Sequence, residues 1–199
     1  MKRKIFLIGG TSVIGNALLN EFKINDNSYQ LIKITRNPEY SNNKDYIYIE
    51  NYTLIDKVFK NYKSSGEDII VLAFAYLGKT GYEENISSSL DEKNQQKVFD
   101  INLFNMYSAL NSSIRFLRDL GGSIIYLSSA AAYPVRKSNI PYGLSKKFID
   151  ELLYESRSSF EKFKIKTLSV RIGFVDTPLN KGRNKTPFSS TPLKVSKSI

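Results

Sequence analysis

The stretch from Lys4 to Leu19, "KIFLIGGTSVIGNALL", limits what this chain can fold into more than any other. Lys4 to Ile8 is a short apolar run closed by Gly9 and Gly10, as a buried strand would be. Val13 to Phe22 then sets Ile14, Ala17, Leu18 and Phe22 at helical spacing. A glycine turn between a buried strand and a helix gathers backbone N–H groups at a helix N-terminus among small residues. That is a seat for a pyrophosphate. Gly9 and Gly15 bracket the turn, Thr11 and Ser12 add hydroxyls, and Ile14 lies inside it. The plainer use of the same residues is a tight strand-to-helix connection without a ligand. The basic start resembles a signal peptide, but its apolar run is too short for one.

The rest of the chain repeats the alternation. Strands are expected from Gln30 to Thr35, Tyr46 to Glu50, Asp68 to Ala75, Ser123 to Leu127 and Lys166 to Arg171. Between them, helices are expected around Leu54 to Tyr62, from about Glu92 to Leu120, and from Pro141 to about Phe160. Gly121 and Gly122 supply a glycine end to the long helix, and a polar loop from Lys79 to Asp91 precedes it. The expected fold class is α/β, a doubly wound parallel sheet in three αβα layers, with residues 1–199 forming one domain. The segment 178–199 is rich in Pro, Ser and Lys and reads as loop. It stops where a further helix would begin, so a C-terminal helix and strand are expected to be missing.

Composition removes several chemistries. The chain has no His and no Cys, so a Ser-His-Asp triad and thiolate catalysis are excluded, and no metal site is expected. Any general acid or base must be Asp, Glu, Lys or Tyr. The lack of Cys favours a cytoplasmic setting, and no apolar run approaches the roughly 18 residues of a membrane span. The formal charge is +10, and from Lys162 to Ile199 nine Lys or Arg face one acid, Asp176. No aromatic platform or groove-reading motif accompanies these cations, so they are read as no nucleic-acid interface. A phosphorylated small molecule remains compatible with them.

The residue closing the second strand separates two cofactors. An acid there binds the ribose 2′-hydroxyl of NAD, whereas a basic residue suits the 2′-phosphate of NADP. In "KITRNPE" Thr35 takes the place of the acid and Arg36 follows. NADP(H) is therefore expected over NAD(H).

The pattern Y-x-x-x-K occurs at Tyr29/Lys33, Tyr40/Lys44, Tyr133/Lys137 and Tyr142/Lys146. Tyr29 leads into a strand, Tyr40 lies in a polar loop, and Pro134 follows Tyr133 without helical periodicity. Only Tyr142 opens an amphipathic helix, with Pro141 in its first turn and Phe148, Ile149, Leu152 and Leu153 behind it. On a helix, residues four apart share a face. An ammonium beside a phenol favours the phenolate, which makes tyrosine a usable acid without histidine. Ser128 and Ser129 end the fifth strand, where ligands of doubly wound sheets sit. The plainer reading of Tyr142 and Lys146 is an exposed helical pair.

Taken in order, "GGTSVIG" (Gly9 to Gly15), "DIN" (Asp100 to Asn102), "YLSSA" (Tyr126 to Ala130), "YGLSK" (Tyr142 to Lys146) and "RIGFVDT" (Arg171 to Thr177) resemble the short-chain dehydrogenase/reductase family over nearly the whole chain. The resemblance implies a Rossmann fold and an oxidoreductase that moves a hydride between nicotinamide and a carbonyl carbon. It assigns Tyr142 as proton donor and Ser129 as hydrogen-bond donor to the carbonyl oxygen. Lys146 would bind the nicotinamide ribose and tune Tyr142, and Asn102 would hold a water in the proton relay. It further implies cofactor contacts from Asn51, Ala73, Ala75, Gly173, Val175 and Thr177, and assembly into dimers or tetramers.

Three features depart from the family pattern. Val13 replaces the middle glycine of the turn and is expected to crowd a pyrophosphate. "AFAY" (Ala73 to Tyr76) replaces N-N-A-G, and Ile172 replaces a proline. These replacements, with "LAFAYLG" and "SSAAAYPVRKSNIPYGLSK", are similar to a branch of decaprenylphosphoryl ketopentose reductases. That branch implies a ketosugar substrate bearing a phosphate, with Lys181 to Lys185 in the loop that covers it. The alternative is a binding protein that keeps the dinucleotide fold without catalysis.

Overall fold

The structure is a computed structural model and describes residues 2–25, 28–78, 91–180 and 189–199. Most of the expected loop from Lys79 and the whole basic segment Lys181 to Lys185 lie outside the described residues.

Six strands form one sheet: β1 (Arg3–Ile8), β2 (Tyr29–Thr35), β3 (Tyr46–Tyr48), β4 (Ile69–Leu72), β5 (Gly122–Ser129) and β6 (Ile165–Ile172). Their order is β3-β2-β1-β4-β5-β6 and every pairing is parallel. The helices are α1 (Val13–Asn25), α2 (Ile55–Phe59), α3 (Glu92–Phe99), α4 (Met106–Leu117), α5 (Ile140–Glu155), α6 (Arg157–Glu161) and α7 (Pro192–Ser196). The doubly wound α/β sheet is as expected.

Alternation along the strands explains the two covered faces. Phe6 and Ile8 join a core with Ile34, Leu72, Tyr126, Met106, Leu110, Ile149 and Leu153. Ile5 and Leu7 join the opposite core with Leu18, Leu19, Val71, Leu127 and Val175. Successive β1 residues thus meet helices on opposite sides, which is why the strand reads as an unbroken apolar run. The chain crosses from one face to the other between β1 and β4, and a crevice opens there beyond the strand ends.

Four elements differ from expectation. The strand expected from Asp68 to Ala75 stops at Leu72, so Ala73 to Ala75 lie in the loop after it. The long helix is interrupted by a π segment, Asp100–Asn105, between α3 and α4. The expected helix from Pro141 to about Phe160 breaks at Ser156 into α5 and α6. The segment 178–199 is not all loop. Thr191 Oγ1 accepts from the Lys194 N–H at 3.2 Å, capping α7, and Val195 and Ile199 pack on the core beneath α1.

Candidate active site

A cleft of about 540 Å³ runs along the C-terminal strand ends, from the β1 turn to the segment after β6. At its β1 end the glycine turn is held from three sides. The Gly9 and Gly10 N–H groups donate to the Ile34 carbonyl of β2 at 3.0 and 2.7 Å. Asn16 Nδ2 donates to the Gly10 and Ser12 carbonyls at 2.7 and 2.8 Å. Ser12 Oγ accepts from the Gly15 N–H at 3.1 Å. Val13 and Ile14, which open α1 where helical amides lack intrahelical carbonyls, line the cleft.

Both bracketing glycines are required by close approach. Gly9 has φ +94°, and a Cβ there would lie 2.8 Å from the Phe74 backbone nitrogen. A Cβ on Gly15 would lie 2.6 Å from Leu7 Cδ1 and 3.0 Å from Ala73 Cβ. Gly15 therefore does not line the cleft but lets α1 settle on β1 and β4. Val13 does not need the freedom of a glycine. It begins the helix, no non-glycine residue of the turn has a positive φ, and its side chain stands at the rim, 42% exposed.

Thr11, Ser12, Ile14, Thr35 and Arg36 line the cleft at the ends of β1 and β2. Thr35 is buried and its Oγ1 accepts from the Asn37 N–H at 3.1 Å, which fixes the turn that presents Arg36. The Arg36 guanidinium lies 5.3 Å from the centre of the Tyr52 ring, and that ring stacks on Phe74 at 3.9 Å. Asn51 is corrected. It is exposed, lies outside the cleft, and caps the short turn Tyr52–Leu54 by accepting from the Thr53 N–H at 2.8 Å. The next residue, Tyr52, is the one that lines the cleft. Ala73 and Ala75 line it from the loop after β4, and Gly173, Val175 and Thr177 from beyond β6.

At the other end Ser129, Tyr142 and Lys146 share the same cleft. Ser129 closes β5, and its Oγ accepts from the Ala131 N–H at 3.1 Å. Tyr142 lies in the first turn of α5 and is buried to 7% exposure. Lys146 is 1% exposed, and its Nζ donates to the Leu127 carbonyl of β5 at 3.0 Å. The same nitrogen lies 6.0 Å from the centre of the Tyr142 ring and 4.9 Å from that of Tyr126. Burial pulls the Lys146 ammonium down to about 8, against the opposing pull of the Asp150 carboxylate. The helical pair is thus not an exposed one.

Asn102, expected to hold a water, is a residue that also braces the loop after β4. It is fully buried in the π segment, outside the cleft lining, with both polar atoms of its side chain engaged. Its Oδ1 accepts from the Tyr76 N–H and its Nδ2 donates to the Tyr76 carbonyl, each at 2.7 Å. It holds the loop after β4, in which Ala73 and Ala75 sit.

Three residues of the site were not singled out in the sequence. Asn139 caps α5 by accepting from the Tyr142 N–H at 3.3 Å, and donates to the Leu77 carbonyl at 2.7 Å. Asn before Ile-Pro at a helix start is a readable cap signal. Gly143 faces the Ala131 carbonyl, and a Cβ there would stand 2.6 Å from that oxygen. Asp150, one turn beyond Lys146, is 4% exposed and accepts from Ser128 Oγ at 2.8 Å. An acid on an amphipathic helix reads as solvent-facing, so nothing in the sequence marked it.

Comparison with known proteins agrees with this geometry. An uncharacterised oxidoreductase of Schizosaccharomyces pombe is 37% identical over 84 residues, which are 42% of this chain and 33% of the relative. The match therefore spans about a third of that relative's length. Among solved structures, ElxO with NADP bound superposes with a TM-score of 0.78 at 19% identity, covering 100% of this chain and 90% of that one. A short chain dehydrogenase from Burkholderia cenocepacia in complex with NADP gives 0.80 at 14% identity, covering 99% and 82%. At these identities the superpositions speak for the fold. The family itself is shown by sequence, because the pattern of short chain dehydrogenases matches residues 51–187, from the turn carrying Tyr52 through Ser129, Tyr142 and Lys146 to beyond β6. The chain belongs to the short chain dehydrogenase family.

Proposed function

We propose that this chain is an oxidoreductase that uses NADP(H) in preference to NAD(H) to reduce a ketone to an alcohol. The observation that carries the reading is the meeting of Tyr142, Lys146 and Ser129 in one cleft with the glycine turn of β1. The residues present fit a dinucleotide. The Gly9 site has no room for a Cβ against Phe74, Val13 and Ile14 of the first turn of α1 line the cleft, and Arg36 is the cation beside the stacked Tyr52 and Phe74 rings. Gly9, Thr11, Ser12 and Ile14 would hold its pyrophosphate, and Gly173, Val175 and Thr177 its far end. Solved relatives of the same fold have NADP or NADPH bound.

The bound nicotinamide supplies the hydride. Every other part of the reaction falls to this chain. Tyr142 gives its phenolic proton to the carbonyl oxygen as that oxygen gains negative charge. Ser129 Oγ already accepts from Ala131, so its own O–H is the group that donates to the same oxygen. Lys146, charged and out of water, stabilises the phenolate left behind and offers a further donor to a ribose hydroxyl. Asn102 and Asn139 keep the loop after β4 and the first turn of α5 in register.

The substrate class follows the branch resemblance: a ketosugar carrying a phosphate, for which Arg136 is a cation lining the cleft. A second copy of the chain would pack on the apolar side chains exposed beside the π segment and α5, namely Phe104, Tyr107, Leu144 and Phe148.

The test is turnover of NADPH with a panel of ketosugars, free and phosphorylated, by the wild type and by Tyr142→Phe. Loss of a positioned general acid should lower kcat by about 10²–10⁴-fold. Equal turnover by both proteins overturns the assignment. Tight NADPH binding without turnover on any ketone would support the non-catalytic binding protein instead, a reading that draws on the engaged side chain of Asn102.

A further inference from the structure

The proposed reaction leaves one buried charge of α5 unused. Asp150 stands one helical turn beyond Lys146 and two beyond Tyr142 on the same face of α5. It is 4% exposed. Its Oδ2 accepts from Ser128 Oγ of β5 at 2.8 Å, and its Oδ1 accepts from Ser169 Oγ of β6. Arg171 Nε of β6 lies 3.5 Å from Oδ2. Lys146 reaches the carbonyl of Leu127, the residue just before Ser128. Two residues one turn apart on α5 are thus fastened to two successive residues of β5. We propose that Asp150 is a positioning residue that keeps Lys146 charged in its buried seat and fixes the Tyr142–Lys146 face of α5 against the end of β5.

The charges around Asp150 decide whether it can do this. From β6 comes Arg171, half exposed, with its guanidinium 3.9 Å from the centre of the Tyr133 ring. Tyr133 donates to Glu151 Oε1 at 2.5 Å, and burial, Glu151 and Asp150 together push its phenol up to about 12. From β5 comes Tyr126, which burial and then Asp150 push well above the usual tyrosine range. Both phenols stay neutral near pH 8, so neither competes with Asp150 as an anion. Lys146 is the one buried cation of the group. Desolvation pulls it toward the neutral form, and Asp150 is the group that opposes this. A merely structural role, joining α5 to β5 and β6, needs no carboxylate: an amide would bond the same two hydroxyls.

That difference supplies the test, which rests on the reading of Lys146 as part of the reducing machinery only in its enzymatic arm. The Cε carbon of Lys146, assigned with Lys146→Met, is titrated by NMR in the wild type and in Asp150→Asn. The amide keeps the shape and the hydroxyl contacts but removes the charge. The Lys146 midpoint should fall by about one unit, a tenfold loss of the charged fraction above it. An unchanged midpoint overturns the proposal. Should Asp150→Asn fail to fold, the wild type still decides: its Asp150 carboxyl carbon should show an inflection at the Lys146 midpoint, and a flat trace there overturns the coupling. With NADPH and a ketone, the alkaline limb of kcat should move down with the Lys146 midpoint. Absence of turnover by the wild type counts against the proposed reaction, while the NMR arms still judge Asp150.

Discussion

Asn102 holds Tyr76 by both backbone groups, accepting from its N–H and donating to its carbonyl, each at 2.7 Å. The contact joins the π segment to the loop after β4. It stands where the family pattern has N-N-A-G and this chain has "AFAY". A π segment inserts a residue into a helix and redirects one side chain, often at a functional site. Here the redirected residue is a buried amide that does for the loop what side chains of the loop itself do not.

Asn102→Ala should therefore leave two backbone groups of Tyr76 without partners. The expected loss of stability is about 1–3 kcal/mol, read from the urea midpoint. NADPH binding should weaken as well, because Ala73 and Ala75 line the cleft from the same loop. Asn102→Asp restores only the bond to the N–H and sets a carboxylate against the Tyr76 carbonyl, so it should recover less than half the loss. A stable Asn102→Ala protein with unchanged NADPH affinity would remove the loop-holding role.

On the proposed reading, Arg36 carries the preference for NADP(H). Thr35 offers no carboxylate at the end of β2, and Arg36 is held over Tyr52 at the nucleotide end of the cleft. Arg36→Gln should weaken NADPH by about tenfold or more and leave NADH nearly unchanged, since one charge-assisted contact to a phosphate is worth about 1.5–3 kcal/mol. Titration of both cofactors against both proteins checks it. Equal losses for NADPH and NADH would mean that Arg36 acts on packing of the Tyr52 ring and not on a 2′-phosphate.

The parts legible in the sequence were those written in apolar periodicity and in glycine. β1 and β5 show as apolar runs because both their faces are covered, and Gly9 and Gly15 mark backbone contacts that no other residue permits. The parts that were not legible are buried polar residues. Asn102 and Asp150 sit on helices at positions that periodicity gives to solvent: the family resemblance alone pointed to Asn102, nothing pointed to Asp150, and their partners Tyr76, Ser128 and Ser169 show only in the tertiary contacts. Asn51 was misplaced by one residue because a strand end does not tell which side chain of the next turn faces inward. The helix α7 was missed because its five residues carry too little periodicity, although "TPLK" holds the cap and the proline.

Gly143 and Gly173 form a matched pair for testing close approach. A methyl at Gly143 would meet the Ala131 carbonyl oxygen at 2.6 Å, a backbone atom that cannot swing aside. A methyl at Gly173 meets nothing within 4 Å. Gly143→Ala should push the first turn of α5 off the loop after β5, costing about 1–3 kcal/mol and displacing Tyr142, so that kcat falls more than NADPH affinity. Gly173→Ala should leave the unfolding midpoint within about 0.5 kcal/mol of wild type. Similar unfolding midpoints for the two variants would contradict the placement of α5.

Lys146 gives the fold an unusual response to alkali. Burial holds its folded value at about 8, against an ordinary 10.5 in the unfolded chain. Between these two values the unfolded state binds more protons than the folded one, so stability rises as pH rises. Below the folded value both states carry the proton, and the full cost of the buried charge remains. Tyr126 and Tyr133 act in the opposite sense, since their raised folded values make the unfolded phenols lose protons first, but only from about pH 10 upward. Urea unfolding should therefore show the wild type more stable at about pH 9.5 than at about pH 7.5, by about 2 kcal/mol. Lys146→Met should be flat across the same window, because nothing is left there to titrate. A wild type whose stability only falls across that window would show that Lys146 is not the desolvated cation its burial makes it.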